Sequence, residues 1–277
     1  MNNPSSQIRI ESFTDFEDRI GEIKERLRTL NRTRAMLQSD PLYRGQANAE
    51  WGLTTTLERF FTDAIIQVNR YNSYLARARA TVETVTGQKW PFSDVRELSM
   101  EPLFDEPPNF EFMVYARHHG YPSPLLDWTR SPYIALYFAF ANASPSQDVA
   151  LFAFIKSPEG MRSASRREPQ ISELPHHKTT HPRHFAQQSR YTICVRNPEG
   201  PEDWEYCQHD LVIEQGRVYQ DLLQKFVLPA ALRLEILDRL DHMNINGYTL
   251  FNNEDGLMKS LAFREIEALE ARRRGEI

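Results

Sequence analysis

Cysteine is almost missing from this 277-residue sequence, which has only Cys194 and Cys207. Two thiols make neither a disulfide scaffold nor a Cys-rich zinc site. No stretch reaches the roughly 18 consecutive apolar residues of a membrane span, so no membrane partner is expected. The opening residues, MNNPSSQIRIESF, lack the apolar run of a secretory signal. These absences together read as a cytoplasmic protein. A basic excess is missing too: 33 Lys and Arg stand against 38 Asp and Glu, a net charge of -5. That excludes a strongly basic nucleic-acid domain as the default and leaves room only for a local basic patch. Glycine is scarce at 11 residues, and neither a Gly-rich phosphate loop nor an internal repeat occurs.

What is present is the composition of a folded chain, 40% hydrophobic and 26% charged. Phe13, Phe16, Ile20, Ile23, Leu27, Leu30 and Leu37 recur at steps of three and four. Residues 1–39 therefore read as an amphipathic helix, with Thr14 and Glu17 as a capping box and one face free to meet the main domain or a protein partner. Pro41–Gln46 reads as a short strand running into a Gly turn. A helical region is expected around Leu57, Phe60, Phe61, Ile65 and Val68, and another from 72 to 85. Phe110–His119 reads as a helix stopped by Gly120. Pro124–Thr129 reads as a buried strand, followed by Ser131 and Pro132 at a helix start and a very apolar helix from Tyr133 to Ala141. In that helix Ala135 and Ala139 are small enough for close backbone packing. Val149–Ile155, Arg190–Arg196 and Gln224–Leu228 read as strands. Residues 157–184 are expected to form a mobile surface loop. Pro229 opens an amphipathic helix, Tyr248–Phe251 reads as extended, and Asp255 is the expected cap of a last helix. The sum is an α+β fold with segregated elements, not a succession of parallel strands.

Several residues have chemistry to offer. Arg44, between a strand and a Gly turn, can hold a phosphate or carboxylate bidentately. Gly45 would let a ligand approach closely. His118 or His119, at a helix end, can act as acid, base or donor to a ribose hydroxyl. Asp127, in an apolar strand, needs a partner and can orient Arg44 or a His. Thr129 starts the next helix or touches a ligand. The quartet His176, His177, His181 and His184 suggests zinc, but no pair of thiols accompanies it, and no metal is expected.

The order of motifs is specific. Tyr43-Arg44-Gly45-Gln46, Arg117-His118-His119-Gly120, Leu125-Leu126-Asp127-Trp128-Thr129 and Ser131-Pro132-Tyr133-Ile134-Ala135-Leu136 together resemble the FRG-domain family. Arg183, Gln187, Gln188 and Tyr191 resemble its later Arg, paired-Gln and aromatic stretch. The likeness implies an FRG-like domain over residues 40–265, with 266–277 as helix end and charged tail. More distantly, Arg44 and the Asp127-Trp128-Thr129 strand with its following helix resemble the ADP-ribosyltransferase superfamily. That likeness implies NAD as cofactor, or another anionic nucleotide, bound by Arg44, Gly45, Gln46, Thr129, Gln187 and Gln188. His118, His119 and Asp127 would be the catalytic candidates, and the acceptor a protein or nucleic acid. It also implies a bacterial toxin or anti-phage effector. The Gln224-Lys225-Phe226 strand offers no Glu where the superfamily has one. A non-catalytic nucleotide- or peptide-binding module, or a nucleic-acid-associated factor, is the alternative.

Overall fold

The computed structural model describes residues 7–34, 40–61, 65–93, 106–156, 165, 167–174, 183–198, 203–214 and 221–277. Its strands are β1 (Gln7–Arg9), β2 (Leu42–Gln46), β3 (Ile66–Gln67), β4 (Leu126–Thr129), β5 (Val149–Ile155), β6 (Gln170–Glu173), β7 (Ser189–Arg196), β8 (Glu205–Tyr206) and β9 (Leu222–Leu228). Its helices are α1 (Phe13–Arg34), α2 (Val68–Thr86), α3 (Phe110–His118), α4 (Pro132–Phe140), α5 (Arg183–Gln187), α6 (His209–Glu214), α7 (Arg233–His242), α8 (Gly247–Phe251), α9 (Glu254–Ala262) and α10 (Leu269–Arg274). A π-helical stretch, Phe263–Ala268, joins the last two. The fold is mixed α+β. The strands form one sheet in the order β1-β9-β5-β2-β4-β7-β8-β3, with β6 also paired to β7. β1 runs parallel to β9, and the other pairs are antiparallel.

Period-two alternation divides the centre of this sheet into two apolar faces. Val149, Leu151 and Ala153 of β5 join Phe226 and Leu228 of β9 under α1, α4 and α7. Ala150, Phe152 and Phe154 point the other way and pack with Leu42, Trp128 and Leu223. A third cluster holds α2 and α3 against Tyr191, Ile193 and Val195 of β7. Of the N-terminal helix, Phe13, Phe16 and Ile20 are spent on the core and Leu27 is buried.

Helix α4 is apolar all round because it is enclosed. Ser131 caps it, accepting from Ile134 N at 3.3 Å, with Pro132 in the first turn. It lies so close to β2 that a Cβ on Gly45 would stand 1.9 Å from the carbonyl oxygen of Ala135. Gly45 therefore serves helix packing. Ala135 and Ala139 provide the other half of this contact.

Some local expectations are corrected. The cap of α1 is Ser12, which accepts from Asp15 N, and Glu17 instead accepts from Tyr133 Oη. The described residues of 57–68 form a 3-10 turn, Glu58–Phe60, then β3, with helix α2 starting only at Val68. Tyr248–Phe251 is helical because Asn246 and Thr249 form a reciprocal capping box. Asn253, not Asp255, caps α9, accepting from Gly256 N at 2.9 Å. Within the supposed surface loop, Gln170–Glu173 is a largely buried strand on β7. Most of the rest of that loop, with His176, His177 and His181, lies outside the described residues.

Candidate functional site

The site arises where the sheet splits. β2 pairs with β5 along five residues but with β4 only at Tyr43 and Thr129. Beyond that point the two strands diverge, and backbone groups facing the gap have no strand partner. Arg44 reaches across and donates from Nη1 to the carbonyl oxygen of Asp127 at 2.8 Å. One donor of Arg44 is thereby engaged in the sheet, and Nε is buried with no partner. Burial lowers its pKa to about 10, with Asp127 opposing and the charges of Arg117 and Arg59 adding to the fall. It remains a cation at neutral pH.

Helix α3 closes the gap. It delivers Arg117 and His118 from its last turn, and Gly120 follows with a φ of 85°. Arg117 grips both carboxylate oxygens of Asp127: Nε donates to Oδ1 at 2.5 Å and Nη2 to Oδ2. Its Nη1 donates to Thr56 Oγ1 at 2.8 Å. Such a fork is the strong form of an ion pair. Burial by itself would raise the Asp127 carboxyl, but Arg117, then Arg44 and His118, hold it below the ordinary value. The carboxylate is enclosed by protein on most sides, yet 44% of its side-chain surface opens onto the gap.

The gap is a cavity of about 590 Å³. Arg44, Arg59, Arg117 and Arg183 line it, with Asp127 as the one carboxylate among its described lining residues. Aromatic walls come from Trp51, Tyr121, Trp128, Phe138, Tyr191 and Phe251. Arg59 stands exposed at the mouth and makes no ion pair with a described residue. Arg183 donates from Nε to the carbonyl of Phe251 at 3.2 Å and lies 5.7 Å from that ring's centre. On one wall, His118 Nε2 is 2.7 Å from His184 Nε2, and Tyr191 Oη is 3.2 Å from the first and 2.7 Å from the second. Burial raises the Tyr191 phenol far above its ordinary range. The phenol therefore stays protonated, within hydrogen-bond distance of two imidazoles.

The expected site residues divide as follows. Arg44, Gly45, Gln46, His118, Asp127, Thr129 and Gln187 line this cavity. Gln46 is buried, donates to the carbonyl of Gly52 at 3.0 Å and leaves Oε1 without a partner. Thr129 donates to the carbonyl of Gln187 at 2.7 Å and accepts from Ser131 N. Gln187 donates to the carbonyl of Leu250 at 3.0 Å. His119 is exposed outside the cavity, its ring against Tyr115 at 4.5 Å. Gln188 is exposed in a left-handed conformation, φ 49°, and is not part of the lining. Arg117 and Arg59 were missed as site residues. The signal for Arg117 was its place directly before His118 and ten residues before a buried Asp that required a cation. His184 was read as part of a loop cluster and instead stands behind the lining, against His118 and Tyr191.

A mixed α+β domain whose split sheet opens onto an arginine-lined cavity is thus the class of structure in hand. Residues 39–148 match the FRG domain family. That stretch carries Arg44, Arg117, His118 and Asp127, while Arg183, His184 and Tyr191 come from beyond it. No curated protein and no solved structure matches the chain. Among the described residues, no helix is long and apolar enough to cross a membrane.

Proposed function

We propose that the cavity binds an anionic nucleotide, with NAD the first compound to test. The observation that carries this is the charge balance of the lining. Four guanidiniums face one carboxylate, and Arg117 already takes that carboxylate through two contacts. An anionic group entering the cavity meets the surplus positive charge, and the aromatic walls suit a flat ring. The chain as a whole is acidic, so this cation cluster is local.

Binding without turnover is the reading that the carboxylate favours. Cleavage of a glycosidic bond builds up positive charge on the ribose, and a carboxylate placed to face it is the group that would stabilise it. Asp127 is committed to Arg117. A second reading, NAD hydrolysis or ADP-ribosyl transfer, draws support from the His118–His184–Tyr191 group, which can hold and release a proton at the cavity wall.

Titration calorimetry at low salt with NAD, ADP-ribose, ATP and inorganic phosphate tests the proposal. Trp51 and Trp128 in the lining give a second signal, quenching of intrinsic fluorescence. Saturable binding of a nucleotide, weakened in Arg59→Glu, is the expected result. Failure of every nucleotide to bind would refute it. Nicotinamide release that is lost in His118→Ala would decide for the second reading.

A further inference from the structure

The last helical segment exposes a row of large apolar residues. From α9 through the π-helical stretch to α10, the buried positions are the small residues Gly256, Ser260, Ala268 and Ala271. Four large apolar residues face out: Met258 is 59% exposed, Leu261 37%, Ile266 62% and Leu269 40%, while Leu257 and Phe263 turn partly towards the body and Phe263 packs on the core. A single exposed apolar side chain is ordinary, whereas four in register on one rod are not. Their register follows from local geometry. Met258 to Leu261 is a step of three within α9, close to one α-helical turn, and Ile266 to Leu269 is a step of three that leaves the π-helical stretch for α10. Leu261 to Ile266 is a step of five and crosses the π-helical stretch, where hydrogen bonds span five residues and one turn takes up the longer step. The stripe is therefore continuous, on the side of the rod away from the protein body.

We propose that this stripe is a self-association surface, and that its occupant is the same stripe of a second copy, packed antiparallel. The pattern is self-complementary. A two-fold axis between Phe263 and Arg264 sets Met258 against the partner's Leu269 and Leu261 against the partner's Ile266. The same axis sets Glu254, in the first turn of α9, against the partner's Arg273, near the end of α10. One operation thus matches apolar with apolar and acid with base, as an isologous contact requires. Helical periodicity places Glu254 and Arg273 in line with the stripe. Glu254 makes no ion pair with a described residue. Arg273 holds Glu270 of its own helix at 2.6 Å, and that pair is exposed and easily exchanged. The contact is one helix wide, narrower than the interfaces of permanent complexes, so association depends on concentration. The proposal is independent of what the cavity binds.

The test is light scattering coupled to size exclusion, and sedimentation velocity, on the full chain over a concentration series. The expected result is a mass that rises from the 32.4 kDa of one chain towards twice that value. Ile266→Glu should leave only monomer, with an unchanged circular dichroism spectrum because the position is exposed. Glu254→Arg and Arg273→Glu should each weaken the dimer when alone. Mixed together, they should restore it, since both ion pairs of the mixed dimer then join opposite charges. A 32.4 kDa species at every concentration overturns the proposal, as does a dimer that persists in Ile266→Glu. Charge variants that associate equally well alone and mixed overturn the antiparallel register.

Discussion

Arg117, on the last turn of α3, closes a two-pronged grip on Asp127 of β4 at the point where β2 and β4 part. Asp127 in turn lends its carbonyl oxygen to Arg44 of β2. Side chains thus bridge a sheet whose backbone has separated, and the opening they leave is the candidate site.

Asp127→Asn removes the anion and leaves Arg117 and Arg44 facing each other. Breaking a fully buried pair costs about 3–5 kcal/mol. Here solvent reaches the carboxylate from the cavity and screens the loss, so about 1–3 kcal/mol is expected in urea unfolding. The Asp127 carboxyl is held below its ordinary value in the fold. Its stabilisation is therefore present above about pH 4 and lost as the pH falls further. The variant should lose that steep acid limb, and an unchanged acid limb would contradict the pairing.

His209 gives a pH dependence in a different window. It is fully buried, 2.9 Å from Thr192 Oγ1, with Nδ1 unpartnered. Burial, and then the charge of Arg44, lowers its pKa from 6.5 to about 3. Between those values the unfolded chain binds a proton that the folded chain refuses. Stability from this group is therefore full above pH 6.5 and falls as the pH drops, by up to about 1.4 kcal/mol per pH unit. In His209→Gln the slope between pH 6 and pH 4 should flatten. The slope is the quantity to compare, since the substitution also shifts the baseline stability.

Two glycines should respond in opposite directions. Gly45→Ala drives a methyl group into the backbone of α4 and should lower stability by at least about 3 kcal/mol or prevent folding. Gly21, inside α1, has nothing within 4 Å of a built Cβ. Gly21→Ala should stabilise by about 0.5–1 kcal/mol. Thermal melts of the pair check both signs.

Arg59→Glu should weaken nucleotide binding by about ten- to a hundredfold at low salt, with a melting temperature close to that of the parent chain. The residue is exposed at the mouth, so its charge acts on the ligand and not on the fold. The loss should shrink as ionic strength rises, because exposed charges are screened within about 10 Å at 0.1 M salt. Calorimetry at two salt concentrations measures this. Equal affinity in both proteins at low salt would exclude Arg59 from the site.

Features whose causes lie within a few residues were legible in the sequence. Alternating or continuous apolar runs placed β5, β7 and β9, because period and length identify a strand that packs on its faces. Ser131 and Pro132 placed the start of α4, since capping is a contact between neighbours. The small Ala135 and Ala139 announced a close backbone approach. Arg44, His118 and Asp127 were legible as polar residues set at element ends or in apolar surroundings. What the tertiary structure decided lay in relations between elements. The divergence of β2 from β4 is a matter of register, to which no single strand refers. Gly45 faces α4 because the sheet's alternation turns it inward there. His118 and not His119 reaches the cavity because one helical position separates the two by about 100°, and only the packing of α3 fixes which one turns inward. His184 joins His118 across 66 positions of chain only because β7 pairs with β4 and brings α5 to the opening. A residue's charge and size can be read from the sequence, but the other residues that share its cavity depend on how the strands are ordered.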